Sequence, residues 1–553
     1  MEDNVQSILH QFDKEVEDEY LLDKIESIRA FKNVTHSEIA HSLLAFMARE
    51  NCKSTLNFDI INLFEKEINI KSNTLSSRNK PDKKIIHTDT SFFGEYINDE
   101  NVNILFETPK SLLPIREKNC FNINLHTENF RPTLMFQKNT DIYQAEDIHG
   151  KDVCESQLQM YNESLNDNST KLNFSDMVAV GNKYFDEIYT CGRLTLDHTQ
   201  TGMYDAEIFN SLQFDDEYHG AESVYNDFEK LTPKNIAIQN YSGFEMPCQS
   251  LVIDQTDCYS FFLGENVIIK GQNPTDLGFF VSSVLPRFTK KPLPINVREI
   301  SGDLQIVITC GLLANISNSH VDPLKRLMRE IKANPCDVLI FTGPVVDRND
   351  TADENSDKLC WERLELLAKF CVDLDTHLII VPSIDEATEL CVFPQSAFSP
   401  SAQLPCFNSH LIHFAPNPAI VSIGPYEFGI STADILRHLS TQEISKNCST
   451  PRIRRLCEHI LAENNFYPLN PPHPEIDVNL SQWVEKCSFG TSPPHCLIIP
   501  SKLNSFIENI NGVACINPGY AKSSYCRLNI SKPKTESIDS IIDISQCSFS
   551  ILK

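Results

Sequence analysis

Apolar residues recur along this chain in several distinct rhythms, and each rhythm predicts a different kind of structure. Leu21, Leu22, Ile25 and Ile28 stand at helical spacing, and Ile39, Leu43 and Met47 repeat it behind a Thr35-x-x-Glu38 capping box. Ile60, Ile61, Phe64 and Ile68 add a further apolar face, so residues 1–72 are expected to form a helical bundle of the size of a docking domain. From Asn73 the rhythm dissolves into NTLSSRNKPDKK and stays weak to about residue 175. Ser, Asn, Asp, Thr and Lys dominate there, broken by apolar patches such as Ile104–Pro109, which predicts a flexible tether over 73–175.

Short β-like runs then follow: Glu187–Leu196, Asp205–Phe209, Gln249–Asp254, Asn266–Asn273 and Gly278–Pro286. Strands of this length separated by turn residues predict a small barrel of the OB type over 176–292. Beyond 293 the pattern changes to strands alternating with amphipathic helices. Gln305–Gly311, Asp337–Asp347 and His377–Asp385 are apolar strands running into tight turns, with the helical stretches Val321–Asn334 and Leu359–Leu374 between them. Further strands at 419–424, 495–502 and 513–519, with a helix from Ile435, complete an α/β layered domain over 293–553. The fold class expected is therefore multidomain α+β.

Composition narrows the function. A net charge of −27 opposes charge-driven nucleic-acid binding, which needs clustered Lys and Arg. The acidic start of the chain lacks the apolar core of a secretory leader, and no stretch has the roughly 18 consecutive apolar residues of a membrane span. The 19 cysteines include no C-x-x-C pair, so neither a disulfide framework nor a zinc ribbon is expected, and no cofactor is implied. No phosphate-binding G-x-x-x-x-G-K-[ST] loop and no G-x-S-x-G elbow occurs.

The three strand-to-turn segments resemble the metal loops of calcineurin-like phosphoesterases, with the ligands missing. That chemistry uses Asp-x-His, Gly-Asp-x-x-Asp and Gly-Asn-His-Asp/Glu to hold two metal ions that activate water and clamp phosphate. Here the first turn reads Thr309, Cys310, Gly311; the second Gly343, Pro344, and on to Asp347; the third Pro382, Ser383, Ile384, Asp385. Proline replaces the bridging Asp, and the Asn and His are gone. Asp347 and Asp385 survive, but two carboxylates alone cannot build a two-metal clamp. Gly302-Asp303 precedes its strand, so its carboxylate belongs at the wrong end of the sheet. His320, His413, His438 and His495 are isolated in sequence. No catalytic or metal-binding residue is expected, and these turn residues, Ile384 aside, are expected to be vestigial.

Over the C-terminal domain the chain resembles the B subunits of the DNA polymerase alpha–primase complex. The likeness runs through Ile308–Gly311 with Ser319–Leu324, the Phe341–Asp347 turn, and Leu378–Glu386 with Val392–Phe398. It continues through Glu427–Ser445, His459–Pro472, Cys496–Leu503 and Val513–Gly519. The resemblance implies a nuclear, non-catalytic accessory subunit acting in initiation of DNA replication. Barrel and inactive phosphoesterase domain would form the platform for the C-terminal domain of the polymerase catalytic subunit. Primase subunits would join through the complex, other replication factors through the N-terminal helices, and DNA only indirectly, with no membrane contact. Rival readings are the B subunits of polymerases delta and epsilon, a metal-dependent phosphoesterase, and a single-strand-binding barrel.

Overall fold

The computed structural model describes residues 121–130, 139–165, 171–197, 230–241, 248–275, 278–295, 302–311, 323–348, 356–400, 405–519, 524–531 and 547–551. All belong to the second of two units into which contacts divide the chain, Asp99–Lys553. The helices expected over 1–72, the run at 205–209 and His320 lie outside the described residues.

A short strand β1 (Ile123–Leu125) and a long helix α1 (Asn139–Ser164) come first. Five strands then close a barrel: β2 (Tyr184–Leu196), β3 (Ile236–Gln239), β4 (Gln249–Val252), β6 (Asn266–Asn273) and β7 (Phe279–Val284), in the order β2-β3-β4-β7-β6. All pairs are antiparallel except β4 with β7. A separate strand β5 (Tyr259–Phe261) leaves the barrel between β4 and β6.

The α/β domain starts with β8 (Leu304–Cys310), α2 (Pro323–Ala333), β9 (Val338–Thr342), α3 (Ser356–Leu374), β10 (His377–Val381), the short β11 (Val392–Phe393) and β12 (Ile412–Phe414). It continues with β13 (Ala419–Ile423), β14 (Tyr426–Ile430), α4 (Ile435–Gln442), β15 (Ile444–Lys446), α5 (Arg452–Ala462), β16 (Asp477–Val478) and α6 (Leu480–Cys487). It ends with β17 (Cys496–Ile498), β18 (Phe506–Ile510), β19 (Val513–Asn517), β20 (Ser524–Ile530) and β21 (Cys547–Ile551). One six-stranded sheet runs β12-β10-β9-β8-β20-β21 and the other β1-β13-β14-β17-β19-β18. β8, β9, β10 and β12 are parallel, and every residue of β9 is buried, as a strand covered on both faces requires.

The sheets face each other across Ile306, Ile308, Ile340 and Val381 on one side and Val421, Phe428, Ile498 and Ile516 on the other. Helices α2 and α3 cover the outer face of the first sheet through Leu327, Ile331, Leu364 and Leu367. Helices α4, α5 and α6 cover the second through Leu439, Ile460 and Trp483. That same core continues without a break into the barrel interior, through Leu194, Ile238, Phe279 and Val281. Burying on the order of 1.5–3 kcal/mol per large apolar side chain, this shared core joins the barrel to the second sheet's helical layer.

Two pieces of the stretch assigned to the tether belong to this fold. β1 pairs antiparallel with the edge strand β13, Ile123 opposite Ile423. Helix α1 buries Cys154 and Leu158 against Cys191, Tyr241 and Ile268 of the barrel. Glu146 meets Arg193 at 2.7 Å, and Gln157 exchanges two 2.8 Å hydrogen bonds with the backbone of Phe288. Gly150 is required where helix and barrel touch, because a Cβ there would run into the Tyr241 ring. The sequence hides this helix because its apolar residues are few and do not line one face.

Candidate functional site: the sheet edge and the barrel seam

Because β8, β9 and β10 are parallel, their three following turns emerge at one sheet edge. Gly311 N–H donates to Thr342 O at 2.8 Å, and the Cys310 thiol donates to Gly343 O at 3.5 Å. Gly343 N–H in turn donates to Val381 O at 2.9 Å, and the Thr432 hydroxyl to Pro382 O at 2.8 Å. First, second and third turns are thus stitched together and to the opposite sheet. Gly311 carries a φ of +83°, which favours glycine at that bend, and the Gly343–Pro344 bond is cis.

Glu386, which no sequence motif singles out, closes the arrangement. It is fully buried, and its two carboxylate oxygens accept from Val345 N–H at 2.7 Å and Val346 N–H at 3.0 Å. Desolvation pushes its carboxyl up to about 7, against the pull of those amides. The Gly343–Asp347 turn is therefore capped by protein. Ser383 is also buried, its hydroxyl accepting from Asp385 N–H at 3.2 Å. Burial pushes the Cys310 thiol up to about 12, so it stays protonated.

Asp347 and Asp385 do come together, and a third carboxylate, Asp434, joins them. Burial raises the Asp385 carboxyl, with Asp347 and Asp434 adding to the rise while Lys502 and Arg348 oppose it. Asp434 is fully engaged: it caps α4 through Arg437 N–H at 3.2 Å, and accepts from Ser501 Oγ at 2.5 Å and Lys502 N–H at 3.0 Å. A capping Asp immediately before the apolar run Ile435-Leu436 was the sequence signal for it. Gly302-Asp303 sits at the start of β8, at the opposite end of the strand.

The histidines are less isolated than their sequence positions suggest. His438, His473 and Glu475 form the one cluster of possible metal ligands among the described residues. Its geometry opposes that use. The two imidazoles stack at 4.2 Å with planes 7° apart, so their in-plane lone pairs run parallel and do not meet at one ion. The Arg437 guanidinium already pairs with Glu475, and His438 Nδ1 bonds the Tyr467 hydroxyl at 2.9 Å. Burial, with His473, Arg437 and Lys502 nearby, lowers His438 to about 3, which keeps it neutral. His413 meets His377 at 3.2 Å, and His495 bridges Glu427 N–H at 3.0 Å and Leu293 O at 2.8 Å.

A second polar cluster lies where barrel meets α/β domain. β5 pairs antiparallel with β15, and beside this ribbon opens a cavity of about 440 Å³ lined by Tyr259, Ser260, Glu265, Arg287, Arg455 and Glu463 among others. Glu443 accepts from Ser260 Oγ at 2.8 Å and from Arg455 Nε at 2.8 Å, while His459 Nε2 lies 3.0 Å from Ser260 Oγ. Burial alone would raise the Glu443 carboxyl, but hydrogen bonds from His459, Arg455 and Ser260 hold it well below the usual carboxylate range. Glu463 accepts from Asn266 N–H at 2.9 Å and its side-chain amide at 2.6 Å, and burial next to Glu265 pushes it up to about 8. Hydrogen bonds thus cross the seam from the barrel, Ser260 to Glu443 and Asn266 to Glu463.

Residues 306–508 match the family of the B subunits of DNA polymerases alpha and epsilon. The stretch holds all three turns and the strand β15 that pairs with β5. The DNA polymerase alpha B subunit of Rattus norvegicus is 28% identical over 307 residues, which cover 52% of this chain and 50% of that protein. The protein of the same name from Schizosaccharomyces pombe is 24% identical over 497 residues, covering 84% of this chain and 78% of its own length. That from Saccharomyces cerevisiae is 23% identical, covering 80% and 67%. The match thus spans about half the length of the rat relative and more of the yeast ones. With the alpha/epsilon family domain at 306–508 and relatives of one name in mammals and yeasts, the chain resembles the B subunit of DNA polymerase alpha.

Proposed function

We propose that this chain is a nuclear, non-catalytic accessory subunit of a DNA polymerase alpha–primase complex, serving in initiation of DNA replication. Its barrel and α/β domain act as one platform for the C-terminal domain of the catalytic subunit, and primase subunits join through the complex. The N-terminal region recruits other replication factors. The observation that carries this reading is the closure of all three turns at the sheet edge, where Pro344 and the Glu386 carboxylate stand in a loop that a phosphoesterase opens to metal. The β2-β3-β4-β7-β6 order with β4 parallel to β7 supports an OB-type barrel. Two facing sheets covered by helices on both outer faces support a degenerate calcineurin-like domain. The names of the relatives favour alpha over delta or epsilon.

The test is co-expression of the full chain with a DNA polymerase alpha catalytic subunit. Recovery of the two in one complex, lost when the catalytic subunit's C-terminal domain is removed, is expected; a catalytic subunit that stays unbound overturns the reading. In parallel, no Mn²⁺-stimulated phosphodiester hydrolysis that depends on Asp347 is expected, and hydrolysis abolished by Asp347→Ala would restore the enzyme reading.

A second reading, direct contact of the barrel with single-stranded nucleic acid, has one observation in its favour. Phe185 and Phe280 are exposed on the barrel, as stacking platforms are. The nearby Lys270 is neutralised by Glu187, and the net charge of −27 opposes phosphate. Fluorescence titration with a labelled oligonucleotide at low salt separates the two, and no saturable binding is expected.

A further inference from the structure

Where β5 and β15 join barrel to α/β domain, two thiols face each other. Cys258 Sγ and Cys448 Sγ lie 3.8 Å apart, across 190 residues of sequence. Both cysteines are free; Cys258 is exposed and Cys448 half-buried. We propose that Cys258 and Cys448 are a redox modification site, converted by a low-molecular-weight disulfide into a cross-link that staples the β5–β15 ribbon and with it the barrel to the α/β domain.

The backbone prearranges the pair. In the ribbon register Tyr259 stands opposite Lys446, so Cys258 falls opposite Asn447 and Cys448 lies one residue further on. Asn447 takes a φ of +53°, and this left-handed bend turns the chain at the residue between strand and thiol. The bend is held by Asn447 Nδ2 donating to Asp257 O at 2.9 Å and Lys446 Nζ to Asp254 O at 3.0 Å. Cys448 Sγ itself donates to Tyr259 O at 3.0 Å, which aims it across the ribbon. Both thiols line the 440 Å³ cavity, through which a small disulfide reaches them. Two other thiol pairs, Cys154 with Cys191 and Cys457 with Cys515, are buried on both sides and lack such access.

The chemistry follows the exposure of each sulfur. Cys258, facing solvent, loses its proton and attacks one sulfur of the small disulfide; the mixed disulfide forms, and the expelled thiolate takes up a proton. Cys448, whose thiol is held up by burial and by its neighbour Cys258, is the resolving partner. Its sulfur gives up its proton and attacks Cys258 Sγ, releasing the second small thiol. Two protein thiols become one disulfide, and two electrons leave on two molecules of small thiol. This step does not rest on the partner assignment above, since it concerns the junction within this chain.

The full chain is incubated with excess oxidised glutathione at pH 8, quenched with acid and digested without reductant. A linked peptide containing Cys258 and Cys448 is expected, together with loss of two titratable thiols, faster migration on a non-reducing gel, and reversal by dithiothreitol. In Cys448→Ser the glutathione adduct on Cys258 accumulates unresolved, and in Cys258→Ser neither adduct nor cross-link forms. Hydrogen exchange at β5 and β15 slows on the order of tenfold in the oxidised chain. Both variants should melt with the unmodified chain under reducing conditions, which separates loss of cross-linking from misfolding. Failure to recover the linked peptide at equilibrium, compaction that survives Cys258→Ser, or unchanged exchange in the oxidised chain would each overturn the proposal.

Discussion

At the scale of single residues, Glu386 decides what the Gly343–Asp347 turn does. Its carboxylate fills the space under the Gly343–Asp347 turn and satisfies two backbone donors, Val345 N–H and Val346 N–H. Glu386→Ala would leave two buried N–H groups without an acceptor, at a cost on the order of 1–3 kcal/mol for each. The cost depends on pH in a definite sense. Because the folded carboxyl titrates near 7, above its ordinary value of 4.5, the native state holds the proton more tightly than the unfolded chain. The contribution of Glu386 is therefore full below pH 4.5 and is lost as the pH rises through 7. The difference in melting temperature between the chain and Glu386→Ala should shrink over that interval; a gap that widens toward pH 8 would show the carboxylate to be stabilised, not strained, by its site. Cys310 and Ser383, in contrast, offer only a protonated thiol and a hydroxyl used within its own turn.

At the scale of elements, short strands and capping contacts hold pieces that propensity alone would leave loose. The three-residue ribbon of β5 and β15 depends on Glu443, buried beneath it and bound by Arg455, Ser260 and His459. With its folded pKa depressed, Glu443 contributes stability that is full above about pH 4.5, declines below it, and is gone only once the pH falls through the folded value, well under the usual carboxylate range. Glu443→Gln is thus expected to lower the melting temperature by several degrees at pH 7 and by less at pH 3.5, where the loss has only begun. Equal losses at both values, measured by calorimetry, would show that packing rather than charge is what the substitution removes. Helix α1 illustrates the other device: few apolar residues, but Gln157 and Glu146 tie it to Phe288 and Arg193.

At the scale of the whole molecule, one continuous core runs from the barrel through α4, α5 and α6 to the second sheet, and α1 packs on the barrel beside that junction, where Gln157 reaches Ala462 O at 3.2 Å and His149 meets the Trp483 ring. That arrangement changes where the chain can be cut. A fragment starting near residue 175, at the tether boundary read from composition, loses α1 and β1 and exposes Cys191, Tyr241, Ile268 and the edge of β13. Such a fragment should melt lower and aggregate, whereas one starting near residue 115 should keep the stability of this unit and still capture the polymerase catalytic subunit. Equal melting temperatures for the two fragments, compared by thermal scanning at matched concentration, would show α1 to be dispensable for the fold.

Local pattern alone was enough for the strands β2, β4, β6 to β10, β13, β17 and β19 and for helices α2, α3 and α4, because each carries its own burial in its apolar period. It also disclosed which residues stand in the three turns, since ligand chemistry is a matter of side-chain type. What it could not disclose was company. Strands as short as β3, β5 and β15 have no period to read, and the apolar residues of α1 form no stripe that marks its buried face. Whether Asp434 joins Asp347 and Asp385, whether His438 stacks on His473, and whether Cys258 meets Cys448 depends on loop closures of tens to hundreds of residues. Those juxtapositions are set by how the sheets and the barrel pack, a sum of burial over the whole unit that no single segment contains.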